Sequence, residues 1–265
     1  MGYLAETYER VMIPALMSPW AAQVIRAVQV QPGERALDVA CGTGVVARGL
    51  APLVGTQGQV FGLDRNPEML RVARLAADRE GLAIDWRLGQ AEQLPFPDGA
   101  FDVIVCQFAL MYFADRRAAL AEMRRALSAS GRVGLGVWQA MERHPFYQAL
   151  DEVSQRRLGR SSVQGMFSLA DAEELRGLLA DAGFQRVEIE SLSLTARFED
   201  PEALLAWELD VDPATAPALR DLDAPARQAI LAALHEEMQA PLRAVMQDGQ
   251  VRMPFHAHIA HGWRS

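Results

Sequence analysis

The sequence contains no lysine. Its 26 basic residues are all arginine and are outnumbered by 34 acidic ones, which leaves a formal charge of −8 over 265 residues. That balance argues against a protein that grips nucleic acid through its overall field. Complete use of arginine for lysine points to a GC-rich bacterial genome rather than to a mechanism. Arg116, Arg117, Arg124 and Arg125 do cluster, but their spacing suits the wet face of a helix. Cysteine is nearly absent too: Cys41 and Cys106 lie far apart, each at the end of an apolar run. Two thiols make no disulfide framework for a chain of this length, so a reduced, cytoplasmic protein is expected. No uninterrupted apolar run approaches the roughly 18 residues of a spanning helix, and the N-terminus MGYLAETYERVMIPALM does not read as a secretory signal. No membrane or nucleic-acid partner is expected, and the chain is read as a monomer or homodimer. With 50% hydrophobic and 23% charged residues it can bury a substantial core.

Short apolar runs alternate with amphipathic stretches over the first two-thirds. Strands are expected at 35–40, 59–64, 83–88, 101–107 and 132–138, with helices at 19–28, 45–53, 67–80 and 116–127. Asn66 reads as the cap and Pro67 as the first turn of one helix, and Ser128–Gly131 reads as a turn. Such an order implies parallel βαβ units with helices on both faces. Further on, Leu169–Ala182 reads as a helix capped by Ser168, and 186–198 as a strand. Residues 200–248, broken by Pro213, Pro217, Pro225 and Pro241, read as several short helices before a terminal strand. The expected organisation is one domain: a helical lid over 1–30, a ligand-binding core over 33–139, and cap insertions at 140–167 and 200–248.

The stretch LDVACGTG (37–44) ends a buried-looking strand with an acid and a glycine turn. Gly42-Thr-Gly44-Val-Val-Ala47 fits the dinucleotide pattern G-x-G-x-x-A, with Asp64 placed to hold a ribose. Asp38 pulls the other way, because a carboxylate inside the strand repels a pyrophosphate but suits a ligand carrying an ammonium group. The corner Gly89–Phe96 supplies further polar groups at the same crevice.

LDVACGTG, VFGLDRNPEML (60–70), GQAEQLPFPDGAFDVIVC (89–106) and AEMRRALSASGR (121–132) stand in order and at the right intervals. Across about 33–138 the chain resembles class I S-adenosylmethionine-dependent methyltransferases, of the type grouped with ubiquinone/menaquinone-biosynthesis C-methyltransferases (methyltransferase domain types 11 and 25). The resemblance implies a Rossmann-like α/β fold. Its seven-stranded, mostly parallel sheet would carry helices on both faces and an antiparallel last strand, with a helical cap inserted before that strand. It implies S-adenosylmethionine as cofactor, S-adenosylhomocysteine as product and methyl transfer to a small, hydrophobic or aromatic molecule at O, N or C. Asp38, Ala40, Gly42 and Gly44 would surround the methionine part. Asp64 would hold the ribose, Met69 would pack on adenine with Arg65 nearby, and Gln90 with the Ala91 amide would read the adenine edge. Gln107 would line the floor beneath the sulfonium, and Tyr3 and Tyr8 would close over the cofactor. Gln90 departs from the aspartate that relatives commonly show, which gives up a charge-assisted bond. Two other classes stay open: a protein that binds the cofactor without transferring methyl, and a methyltransferase acting on RNA or protein.

No acid–base constellation announces itself. His144 is the candidate catalytic base because it follows the fifth strand; an ordinary capping histidine is an equal reading. No metal site is expected: on a terminal strand His256 and His258 share a face that His261 leaves. Phe108, Met111, Tyr112, Phe113, Trp138, Met141, Phe146, Met166, Phe167 and Trp207 suggest an enclosed apolar chamber at the substrate edge.

Overall fold

The computed structural model describes residues 2–211, 219 and 222–265, with only the backbone of 2, 3, 210 and 211. The Tyr3 side chain, Pro213 and Pro217 therefore lie outside the described residues. The core is an eight-stranded sheet. Its strands are β1 (Arg35–Val39), β2 (Gln59–Asp64), β3 (Asp85–Leu88), β4 (Phe101–Gln107), β5 (Leu127–Trp138), β6 (Gln185–Phe198), β7 (Met246–Gln247) and β8 (Gln250–Trp263). Seven of them run in the order β3-β2-β1-β4-β5-β8-β6, and β7 adds a short pairing onto β8. Pairs from β3 to β5 are parallel, while β8 runs antiparallel to both β5 and β6. This is the expected doubly wound sheet with a reversed last strand.

Sequence explains the layering. Ala36, Leu37 and Val39 on β1 and Val103, Ile104 and Val105 on β4 are fully buried, as central parallel strands covered on both faces require. Helices α1 (Gly2–Thr7) and α2 (Ser18–Val28) flank a π-helical stretch, Tyr8–Met17, with Pro14 inside it. Proline cannot supply the backbone donor a regular turn needs. Leu4–Val28 is thus one helix, long and apolar enough by length and composition to cross a membrane, although no uninterrupted apolar run is present. Its second half is core rather than lid: Trp20, Val24 and Val28 are completely buried. Trp20 meets Phe108 and Trp138 edge-on, each at 5.8 Å between ring centroids.

The remaining helices are α3 (Val45–Val54), α4 (Pro67–Glu80), α5 (Arg116–Ala126), α6 (Pro145–Leu158), α7 (Ala172–Asp181), α8 (Pro201–Ala206) and α9 (Ala224–Ala244). Asn66 caps α4 as expected, accepting from the Glu68 amide at 3.0 Å. Three local expectations change. Ser128–Gly131 is no turn but the start of β5, where a register shift against β4 absorbs the extra residues. Asp171, not Ser168, caps α7; the Ser168 hydroxyl instead donates to the Met111 and Gly165 carbonyls. Within the described part of 200–248, α9 is a single helix of 21 residues that Pro225 opens and through which Pro241 runs. The arginines of α5 are solvated but busy, with Arg116 pairing Glu174, Arg117 pairing Asp181 and Arg125 pairing Asp98 and Glu122.

Gly44 has a reason of its own. Its φ is +83°, and a Cβ there would be driven into the Trp86 indole. Gly44→Ala should lower the free energy of unfolding by about 1–3 kcal/mol, seen as a reduced urea midpoint. In a Trp86→Ala background the steric part disappears and the φ part remains, so the loss should shrink without vanishing. An unchanged midpoint in both backgrounds would contradict this packing.

Candidate active site

Strands β1 and β4 leave the sheet through residues in the left-handed region. Ala40 has φ +56° and Phe108 φ +51°, a conformation non-glycine residues hold only when their surroundings enforce it. Enforcement is visible. The Phe108 amide donates to the Gly136 carbonyl at 2.8 Å, and its ring stacks on Trp138 at 3.6 Å and 8°. Beside Ala40, the Cys41 amide donates to the Leu63 carbonyl at 3.0 Å. The two bends open a crevice at the carboxyl edge, where parallel sheets bind ligands.

Two chambers occupy it. One, of about 300 Å³, is lined by Asp64, Arg65, Gly89, Gln90, Ala91 and Phe113 among others. The second, of about 430 Å³, is walled by Tyr8, Met12, Met69, Gln107, Phe108, Trp138, Tyr147, Met166, Trp207 and Glu208. Ala40, Arg65, Ala109 and Tyr112 line both, so the chambers share a wall. A larger groove of about 730 Å³ lies at the amino ends of the strands, lined by Arg26, Arg132, Glu188, Glu190, His261 and Trp263. Its arginines are already paired, Arg26 with Glu190 and Arg132 with Glu34, and the strand exits open away from it.

The buried acids hold the turns. Asp64 accepts from the Gly42 amide through Oδ2 and from the Asn66 amide through Oδ1, both at 2.8 Å. Burial raises its carboxyl above the ordinary range, and the Asn66 and Gly42 amides pull it back. Asp38 is sealed in and accepts from the Ala47 amide at 3.0 Å, at the start of α3. Burial pushes it up to about 8, against the Ala47 bond, with the nearby Asp64 charge adding to the rise. Both thiols are buried, and burial raises Cys41 and Cys106 out of reactive range.

Most expected residues converge, with corrections. Asp64, Gln90, Ala91, Arg65 and Ala40 meet in the smaller chamber, and Gln107, Tyr8 and Arg65 in the larger. Met69 faces the larger chamber rather than the adenine corner. Asp38 lines neither chamber, because its carboxylate is spent on the α3 amide. Gly42 and Gly44 shape the turn without lining either chamber. Gly44 answers to Trp86, and the Tyr8 ring lies over Gly42, 3.8 Å from where a Cβ would stand.

His144 is not a base in the cleft. It is 2% exposed and outside both chambers. Its Nε2 accepts from the His256 amide at 3.0 Å, which leaves Nδ1 to carry the proton and donate to the Ala140 carbonyl at 3.1 Å. Both nitrogens are committed to pinning the loop after β5 onto β8. The other histidines have separate partners: His258 has Ser191 and the Ala170 carbonyl, His261 has Glu188, and His256 has Arg143.

Sequence reading missed two chamber residues, Tyr147 on α6 and Glu208 on the π-helical turn Trp207–Val211. The Tyr147 hydroxyl donates to Glu208 Oε1 at 2.7 Å, in full burial. Neither belongs to a motif, and their pairing arises only when the cap folds down. Gln107 also shows more than its sequence did: Nε2 donates to the Met17 carbonyl at 3.1 Å, while the buried Oε1 has no partner.

Residues 37–135 match a family described as "Methyltransferase domain". A ubiquinone/menaquinone biosynthesis C-methyltransferase of Cupriavidus taiwanensis is 34% identical over 186 residues, 66% of this chain and 76% of the relative. Among solved structures, a putative methyltransferase from Bacillus halodurans C-125 superposes with a TM-score of 0.60 at 22% identity, covering 92% of this chain and 98% of that one. A phosphoethanolamine N-methyltransferase 2 of Haemonchus contortus, solved with S-adenosyl-L-methionine, gives a TM-score of 0.62 at 19% identity, covering 99% and 57%. The structural likenesses show the fold.

The structural role of His144 has a pH signature. Burial lowers it from 6.5 to about 4, with the His256 and Arg143 charges adding to the fall against the Ala140 bond. Between those values the unfolded chain binds more protons than the folded one. Stability from the neutral ring is therefore complete above pH 6.5 and lost as the pH falls toward 4, by up to about 3 kcal/mol. Chemical denaturation from pH 7 to 4 should show the gap between wild type and His144→Gln closing toward low pH. A constant gap would exclude this role.

Proposed function

The chain belongs to the class I S-adenosylmethionine-dependent methyltransferases, and from that premise we propose that it methylates a small, largely apolar acceptor held in the larger chamber. S-adenosylmethionine is the cofactor, and it supplies a methyl group on a positively charged sulfur. The observation that carries the reading is the pair of chambers sharing Ala40, Arg65, Ala109 and Tyr112, one polar and one walled by rings and methionines.

The residues present suit that cofactor. Asp64 offers lone pairs beyond its two amide bonds for the ribose hydroxyls. Gln90 and the Ala91 amide lie where an adenine edge would be read. The partnerless Oε1 of Gln107 is a buried acceptor awaiting a donor, and the ligand's ammonium group would supply one. Tyr8 and Trp207, whose rings meet at 5.4 Å, would exclude water from above. Met12, Leu16, Phe108, Trp138 and Met166 offer an acceptor apolar contact and leave it little freedom, which is what alignment for in-line transfer demands.

Titration calorimetry with S-adenosylhomocysteine tests the cofactor half. Gln90→Asp should bind it about 3- to 10-fold more tightly by restoring a charge-assisted hydrogen bond. Weaker or equal binding would remove Gln90 from the adenine corner. Incubation with methyl-labelled cofactor and a panel of small aromatic compounds tests the acceptor half. Label should appear in a small product, and label found only in protein or RNA would overturn the reading.

A further inference from the structure

The larger chamber holds one feature that an apolar acceptor alone does not require. Glu208 is 1% exposed and lines the chamber from the cap, with Oε1 bonded to the Tyr147 hydroxyl. Burying a carboxylate is costly unless it is hydrogen-bonded or given a proton. Its nearest chamber neighbours are the rings of Trp207 and Tyr147, which offer little solvation.

We propose that Glu208 is the hydrogen-bond and proton acceptor for the methyl acceptor, and that this acceptor carries a hydroxyl on a planar, apolar body. The proposal rests on the acceptor-chamber reading above. A carboxylate offers about four lone-pair positions, so the Tyr147 bond does not exhaust its capacity. Tyr147 acts as a positioning residue: its hydroxyl holds the carboxylate at a fixed angle to the chamber. The flat walls, with Phe108 stacked on Trp138, suit a planar ring.

Charge selects a hydroxyl over a protonated amine. The cofactor brings a sulfonium and an ammonium, and Arg65 stands on the shared wall. A cationic acceptor would add to that excess, and a carboxylate beside it would stabilise the unreactive ammonium form. A neutral O–H adds no charge. On transfer its O–H bond breaks and the proton goes to a Glu208 oxygen. The acceptor oxygen forms the new bond to the methyl carbon, and the electron pair of the broken C–S bond stays on sulfur. Negative charge developing on the acceptor oxygen faces the sulfonium, and the proton removes a buried charge from the cap.

The test uses the full chain loaded with S-adenosylhomocysteine and three probes: 2-naphthol, naphthalene and 2-(aminomethyl)naphthalene, measured by equilibrium dialysis at pH 7. In the wild type 2-naphthol should bind at least 10-fold more tightly than naphthalene. Glu208→Gln, which keeps size and an acceptor oxygen, should reduce that preference several-fold, and Glu208→Leu should abolish it. Tyr147→Phe should reduce the preference while naphthalene binding stays the same, a change that general loosening of the cap would not give. A naphthol preference untouched by both Glu208 variants would overturn the assignment, as would tightest wild-type binding of the aminomethyl probe. Naphthalene binding without any naphthol preference would sink Glu208 alone. Failure of all three probes, with S-adenosylhomocysteine bound, would sink the acceptor chamber and this proposal together.

Discussion

The carboxylate of Asp64 fixes the mouth of the cleft. One oxygen holds the Gly42 amide at the exit of β1, and the other holds Asn66, which in turn caps α4. Two strand exits and a helix start are thereby tied to one side chain. Asp38 repeats the device one layer deeper, joining β1 to the third residue of α3. The two acids differ in what their surroundings return for burial. Asp64 has two strong amide donors and an edge on the smaller chamber, while Asp38 has one donor and none. Burial therefore lifts Asp38 to about 8, and the neighbouring Asp64 charge lifts it further in the same direction. The arrangement concentrates the accessible negative charge on Asp64, where ligand hydroxyls would come.

From that anchor the polarity of the cleft divides. Loops after β2 and β3 carry Asp64, Gln90 and Glu92 into one chamber, while the N-terminal helix and the cap carry rings and methionines into the other. The bends at Ala40 and Phe108 each cost about 1–3 kcal/mol. They persist because backbone bonds to β2 and β5 and the stack on Trp138 over-determine them. Both bends touch the larger chamber, and Ala40 also faces the smaller one, so the strain sits at the junction.

The cofactor half of this layout was legible in the sequence because parallel strands end at regular intervals and place their exits side by side. Asp64, Gln90 and Ala91 could be located from strand ends alone. Side-chain direction could not. Asp38 looked like a ligand-facing acid, but its distance from the start of α3 lets it reach Ala47 first. Gly44 looked like a cofactor glycine, yet a tryptophan 42 positions later, on β3, explains its missing Cβ. His144 looked like a base because it follows a strand end, and only the approach of β8 reveals both nitrogens as occupied. Glu208 carried the opposite signal. In sequence it is one more acid in a helical stretch, and its burial depends on α6 meeting the cap, which no local pattern encodes.

Both π-helical stretches in the described residues, Tyr8–Met17 and Trp207–Val211, wall the larger chamber. Widened turns of this kind are rare outside functional sites, since they give up regular hydrogen bonding to redirect side chains. Here they turn Tyr8, Met12 and Leu16 from one side and Trp207 and Glu208 from the other toward the same space. Tyr8 and Trp207 then meet over Gly42, so the N-terminal segment, the glycine turn and the cap converge at one contact. The two halves of the cleft therefore answer to different parts of the chain. Strand exits set the cofactor side, and changing them would disturb the sheet. The acceptor side is set largely by irregular helices laid over the sheet, where substitutions such as those at Glu208 or Met166 alter the chamber without touching a strand. Specificity for the acceptor belongs to the cap for that reason.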